Sequence, residues 1–457
     1  MITKAGTVGM RRVFGWIRRR RVDLLIAAIL LVTSLVASAV TIFRAPQVSP
    51  IDEISHIDYV WRVMHGELPH RGDELTDFAL NQWACRGQEN VGDSLPACGT
   101  TDRAEFDIIT ENYNAWQPPL FFAVVGAMTR VGMMLTSFDA VVLMRLACAV
   151  IFAVGLVCLY AIMRRWGVPA AVAFGCCALL FGMSAFALTS STVSTDAPFL
   201  LVGVGAAWVL KREARDEKHG WHIALLVGLL SALVKTIACA AVLVVAVVLG
   251  VTGLYRLLRH RADGWRCGFT ALGAVVGVGI GTLTWNAYVS AHTPAGWQNP
   301  VLGVNTVVLE SGELPFLHWL ATGTSVFGWS GFWEPVQTVT YLGSFTQGIA
   351  ALLLTAAPFM AVLVLSGPER KLGWVGLLGP FMVVMFVEVQ EWLREHAYFA
   401  TVFPRYGLSL VALTALCLAV ALRNRSRTTQ ALTALGGTLI AVLSVLDAMG
   451  MGVLSVS

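Results

Sequence analysis

Long apolar runs recur along most of this chain, and that repetition constrains its fold more than any other feature. Runs long enough to span a bilayer cover residues 22–43, 140–163, 169–190, 195–210, 221–237, 238–256, 268–288, 346–366, 372–389, 404–422 and 430–455. About 20 apolar residues in a helix cross the roughly 30 Å hydrocarbon core, and only a helix or a closed barrel satisfies its backbone polar groups there. With 56% hydrophobic and 13% charged residues among 457, an ordinary soluble domain is excluded. The expected fold is an all-α polytopic membrane protein, with about eleven transmembrane helices and additional helices lying beside the membrane. No internal repeat, low-complexity linker or separate soluble domain interrupts it, so residues 1–457 read as one membrane domain.

The basic residues set the expected orientation. Arg11, Arg12 and Arg18 to Arg21 precede the first run, which is too long for a typical signal core and reads as an anchor. Further basic groups sit at Arg164-Arg165, Lys211 to Lys218, Arg256 to Arg266, Arg370-Lys371 and Arg423 to Arg427. All fall on the cytoplasmic side if the N-terminus is cytoplasmic and Leu120 to Leu135 is a surface or re-entrant helix. A multi-pass protein of the cell membrane follows, with its C-terminus outside. These basic runs flank spans and report orientation; they are not a nucleic-acid signature.

Two sizeable loops, 44–139 and 289–345, then face outward. Cys85 and Cys98 lie in the first, and a disulfide between them is the economical expectation outside the cytoplasm. The other seven cysteines lie in or beside spans as small apolar fillers. The second loop carries Trp297, Trp319, Trp329 and Trp333, read first as anchors at the headgroup level and second as stacking surfaces for sugar rings.

The chemistry concentrates after the first span, in Ser49 to Gly66. If Pro50 begins a helix, Asp52 and Glu53 share a face with His56. Ser49-x-x-Asp52 also fits a capping box, which would make Asp52 structural. Charges near other spans map to the same membrane face: Arg145, Asp196, Lys235 and Arg405. Each has a plain alternative, since Asp196 can cap the next helix and Lys235 and Arg405 can snorkel to headgroups. Together, carboxylates and sparse cations on the face otherwise poor in Lys and Arg suit a substrate with a lipid-borne phosphate and a reacting hydroxyl.

With Asp52-Glu53 after the first span, Gln117-Pro118-Pro119-Leu120 before the next helix, the Asp196 turn and Pro404-Arg405-Tyr406 near the end, the chain resembles the GT-C membrane glycosyltransferases. These use polyprenyl-phosphate or -diphosphate sugar donors on the extracytoplasmic side. The resemblance implies that Asp52 is the general base for the acceptor hydroxyl, with Glu53 orienting it or binding acceptor. Sugar transfer would invert the anomeric centre in one displacement, with no acid needed for a phosphate leaving group. Lys235 and Arg405 would receive that phosphate, and Arg145, Gln117, Asp196 and Tyr406 would belong to the substrate site. His56 would hold Asp52, touch the phosphate or join a metal. No cofactor is required by this reading, and a divalent cation is left open, because Asp52, Glu53, His56 and Asp196 can share one only if folding joins their loops. The expected partners are membrane lipids, the polyprenyl-phosphate sugar, and an envelope glycan, lipid or protein hydroxyl as acceptor.

Two other classes compete. A flippase or transporter for a lipid-linked glycan would keep key charges near mid-membrane in related halves, and no such halves are present. A non-catalytic scaffold of envelope assembly would need no cavity joining Asp52 to lipid and to a cation.

Overall fold

The computed structural model of the protein describes residues 4–88, 91, 94–214, 220–261, 263–302, 305–309, 313–325 and 341–450. In chain order its helices are α1 (Lys4–Arg44), α2 (Glu53–Met64), α3 (Asp77–Arg86), α4 (Leu120–Leu135), α5 (Ala140–Arg165), α6 (Ala170–Ala178), α7 (Ser184–Ser191) and α8 (Phe199–Ala214). They continue with α9 (Gly220–Val234), α10 (Ala240–Leu258), α11 (Gly264–Ala291), α12 (Phe316–Ser325), α13 (Tyr341–Val364), α14 (Arg370–Glu395), α15 (Leu408–Leu422) and α16 (Arg427–Ala448). Two short strands, β1 (Thr306–Val308) and β2 (Ala397–Phe399), pair antiparallel with Val307 opposite Tyr398.

Eight helices among the described residues are long and apolar enough to cross a membrane, so the chain is a multi-pass membrane protein. The expected span 169–190 is broken: Ala170–Gly182 and Ser184–Ser191 meet at 77°. The segments expected as full spans at 195–210 and 221–237 are instead α8 and α9, helices of 16 and 15 residues. At 1.5 Å per residue each covers only about 24 Å. The shortfall lies at polar breaks. Residues 193–198 are buried but not helical, and α9 stops at Lys235. Such backbone is tolerated at depth only where protein groups satisfy it, and here Glu53 and His56 reach the Val193 N–H and carbonyl. α4, with 16 residues, is also short, and it buries Phe121, Phe122, Val125 and Thr129 on one face against α2 and α5.

α15 is the innermost helix. The span that it forms with the preceding turn, Pro404–Leu422, is 89% buried, whereas the spans of α1 and α16 are 22% and 17% buried and lie at the periphery. Small residues let helices close on one another. A Cβ added at Gly277 of α11 would stand 2.1 Å from the Leu225 carbonyl oxygen of α9, so only glycine fits that crossing.

The chain between α1 and α5 forms a cap over one end of the bundle. Its own small core joins Val48, Ile54, Leu75, Leu80, Trp83 and Phe106. Cys85 and Cys98 are disulfide-bonded. Asp58 is the polar hub of the cap: Oδ1 accepts from the Thr76 backbone N–H and hydroxyl, both at 2.7 Å, and Oδ2 accepts from Asn112 at 2.8 Å and Arg62 at 3.0 Å. In the second loop, Trp319 does not sit at an interface but is buried with Val384 and Val402. Trp329 and Trp333 lie outside the described residues.

Candidate active site

The turn that carries Asp52 differs from the local sequence expectation. Pro50 does not start a helix; α2 begins at Glu53, and Asp52 precedes it in the left-handed region at φ 61°, ψ 0°. Its side chain makes no cap. The expected box is reversed, because the Ser49 N–H donates to the Glu53 carboxylate at 2.7 Å while the Ser55 hydroxyl donates to the Asp52 carbonyl at 2.7 Å. Asp is one of the few residues that tolerates this backbone, at a cost of order 1–3 kcal/mol.

The reversal has a cause 92 residues away in sequence. Arg145 of α5 grips Glu53 with Nε and Nη2, both at 2.8 Å, and donates as well to the carbonyls of Ala45 and Gln47. Glu53 also accepts from the Val193 N–H at 2.8 Å. Both side chains are essentially fully buried, at 0% and 1% exposure. Every strong acceptor site of Glu53 is thus engaged, and the pair locks α2, the end of α1 and the 193–198 segment together.

Asp52 itself turns the other way, with 24% of its side chain exposed. Oδ1 accepts from the Tyr113 hydroxyl at 3.2 Å, and Oδ2 accepts from Arg405 Nη2 at 3.2 Å. Burial pushes its carboxyl up, but Arg405 above all, then His56 and Lys235, outweigh burial and hold it below the ordinary value. It is ionised at neutral pH. The same environment pushes the Tyr113 phenol up, through burial and then the Asp52 charge, so Tyr113 stays a neutral donor.

His56 does not bond Asp52. Its Nδ1 lies 2.9 Å from the Val193 carbonyl oxygen, which can only accept, so Nδ1 carries the proton and Nε2 is a free acceptor. That Nε2 is buried and has no partner among the described residues. Burial lowers the imidazole pKa to about 4, despite the opposing Asp52 charge, and the ring is neutral. Lys235 donates from Nζ to Asp196 Oδ1 at 2.8 Å; neither side chain reaches bulk water, so Lys235 is not snorkelling and Asp196 is not a cap.

Four sequence-selected residues therefore gather around Asp52: His56, Asp196, Lys235 and Arg405 act on one another electrostatically. Tyr406 belongs to the same corner, its ring centre 5.3 Å from the Arg405 guanidinium. Gln117 approaches from the cap, where its Nε2 donates to Asn114 at 2.6 Å and its Oε1 is buried without a partner among the described residues. Arg145 and Glu53 stand apart as a closed pair. Local sequence did not single out Tyr113, Asp58, Asn112 or Asn114.

The unpartnered atoms mark what the corner can do. His56 Nε2, Asp196 Oδ2, Arg405 Nε and Thr195 Oγ1 are buried and unmatched among the described residues. Buried polar atoms are normally satisfied, so these four leave the corner with hydrogen-bonding capacity that the described residues do not use. Among the described residues no group of three or more His, Cys, Asp or Glu side chains is placed to hold a metal. Asp52 is paired with Arg405 and Asp196 with Lys235.

No family model matches the chain, and no curated protein matches it. Among solved structures, it is similar to ArnT from Cupriavidus metallidurans bound to undecaprenyl phosphate, with 16% identity and a TM-score of 0.45. It is also similar to ArnT from the same organism in the apo state, with 16% identity and a TM-score of 0.42. Either match covers 91% of this chain and 61% of the solved one, so the chain spans about three fifths of those proteins' length.

Proposed function

We propose that the protein is a GT-C-type membrane glycosyltransferase that moves a sugar from a polyprenyl-phosphate donor to an acceptor hydroxyl on the extracytoplasmic face. One observation carries this reading: an ionised Asp52 is held by Arg405, with Lys235 and the open nitrogen of neutral His56 beside it. The distribution of basic loops supports the orientation.

In this mechanism the donor phosphate takes the two cations, Arg405 through its planar fork and Lys235 as a point charge. Arg405 then releases Asp52. A carboxylate that loses its guanidinium partner gains basicity, so donor binding itself arms the base. Asp52 accepts the acceptor hydroxyl proton as that oxygen forms its bond to the anomeric carbon. The carbon–oxygen bond to phosphate breaks on the opposite face, and the departing polyprenyl phosphate keeps the electron pair, balanced by Arg405 and Lys235. Tyr113 orients Asp52 through Oδ1, and His56 Nε2 receives a sugar hydroxyl. Glu53 and Arg145 fix the turn that aims Asp52, and are positioning groups.

The test compares membranes containing wild type or Asp52→Asn, supplied with labelled polyprenyl-phosphate sugars and envelope extract. Transfer is expected from wild type alone, at equal protein abundance. Equal transfer by both would remove Asp52 as the base.

A further inference from the structure

One buried carboxylate has no part in the mechanism above. Glu388 lies toward the C-terminal end of α14, is 0% exposed, and forms no ion pair with Lys or Arg among the described residues. A carboxylate at a buried position of a membrane-length helix is unfavourable unless something uses it. Here a backbone group does. Glu388 Oε2 accepts from the Phe399 N–H at 3.0 Å. The carbonyl oxygen of the same residue lies 2.8 Å from His318 Nε2 of α12, and because a carbonyl can only accept, that nitrogen carries a proton. Glu388 Oε1 is itself 3.7 Å from His318 Nε2. One carboxylate and one imidazole thus hold both polar groups of Phe399.

The place of Phe399 in its strand explains the need. β1 and β2 have three residues each, and so short a pair is marginal by itself. Backbone groups alternate in direction along a strand. Ala400 donates to Asn305, and His396 accepts from Leu309, across the pair, which leaves Phe399 pointing away from β1. Glu388 and His318 fill the place of a third strand there. Three residues on, the chain is fixed again: Val402, 1% exposed, is buried with Val384 and Trp319. Val384 stands one helical turn before Glu388 on α14, and Trp319 follows His318 on α12, so the same two helices grip the chain at both points. The Pro404–Gly407 turn comes next. From it Arg405 reaches Asp52 at 3.2 Å, while Tyr406 packs against the Trp319–Val402 cluster.

We propose that Glu388 and His318 are positioning residues for donor recognition: by clamping the Phe399 peptide they set where the 400–405 segment presents the Arg405 guanidinium to a lipid-borne phosphate. Both act through Arg405, and the inference rests on the reading that Arg405 receives that phosphate. What the Phe399 N–H asks of residue 388 is an acceptor oxygen. Glutamine keeps one; leucine, of similar volume, leaves the N–H without a partner.

The experiment measures farnesyl phosphate binding to the full chain in nanodiscs of zwitterionic lipid, with the heat of empty nanodiscs subtracted and farnesol as the uncharged control. Wild type and Glu388→Gln are expected to bind alike, and Glu388→Leu about tenfold more weakly. Hydrogen exchange over residues 399–407 should quicken in Glu388→Leu and not in Glu388→Gln, while α15 stays as protected as in wild type, which shows that the variant is folded. In an Arg405→Gln background, where Lys235 is left to hold the probe, Glu388→Leu should weaken binding no further. The same tenfold loss in that background would make Glu388 a general support of the fold and overturn the proposal. Equal binding by wild type and Glu388→Leu would overturn it too, and would leave the role of Arg405 standing. A wild type that does not distinguish farnesyl phosphate from farnesol would remove the phosphate site, and the proposal with it.

Discussion

The Lys235 ammonium donates to one oxygen of Asp196 at 2.8 Å and leaves the other oxygen buried with no partner among the described residues. A pair with one unmatched oxygen has room for a further donor, and it sits at the junction where α9 stops and the 193–198 segment crosses the bundle.

Breaking that pair on one side should be costly. Lys235→Met leaves the Asp196 charge buried and alone, and a loss of 3–5 kcal/mol is expected. The double variant Lys235→Met/Asp196→Leu should recover most of it, while donor use stays impaired. Thermal unfolding in detergent reads the first effect and donor-dependent transfer the second. Full recovery of transfer in the double variant would show that Lys235 serves only Asp196.

The Glu53–Arg145 pair is expected to behave as structure. Arg145→Met removes a partner from a carboxylate at 0% exposure, along with ties to Ala45 and Gln47. A loss of about 3–5 kcal/mol and reduced abundance should follow. A variant that folded normally and lost only transfer would place Arg145 in the substrate site instead.

Arg405→Lys tests the fork. Lysine keeps the charge but cannot grip two phosphate oxygens, so the donor KM should rise about tenfold with little change in stability. An unchanged KM would exclude Arg405 as the phosphate group.

Acid should weaken the fold through His56. Its folded pKa of about 4 lies below the ordinary 6.5, so as pH falls through this window the unfolded chain takes up a proton that the folded one refuses. Stability is therefore expected to drop between about pH 6.5 and 4, by roughly 3 kcal/mol in all. Asp52, whose pKa is depressed, adds its own loss only below 3.8. His56→Gln should flatten the first slope in a pH series of melting temperatures; a slope that persists would assign it to another group.

Apolar periodicity made the membrane helices legible, because a span is a local property of some twenty consecutive residues. It missed the places where helices stop short. Val193 to Pro198 reads as a short outer turn leading into the 195–210 run, and nothing local shows that its backbone is claimed by Glu53 and His56 from 140 and 137 residues away. The same distance hid the role of Glu53. By sequence it is the twin of Asp52; in the fold Arg145 turns it inward and leaves Asp52 facing the cations. Asp52, Lys235 and Arg405 were visible as isolated charges on apolar ends, where cost alone marks them. Tyr113 and the Asp58 network were not, since neutral hydrogen-bonding residues in a polar loop carry no such mark.

Arg405 stands at the head of α15, the most enclosed helix of the bundle, and its partner Asp52 lies 353 positions earlier. A ribosome making this protein therefore releases the acid into the membrane long before the matching cation exists. Any product cut short between them would carry the Asp52 carboxylate without the guanidinium that holds it, so the pair exists only in chains made at least as far as Arg405.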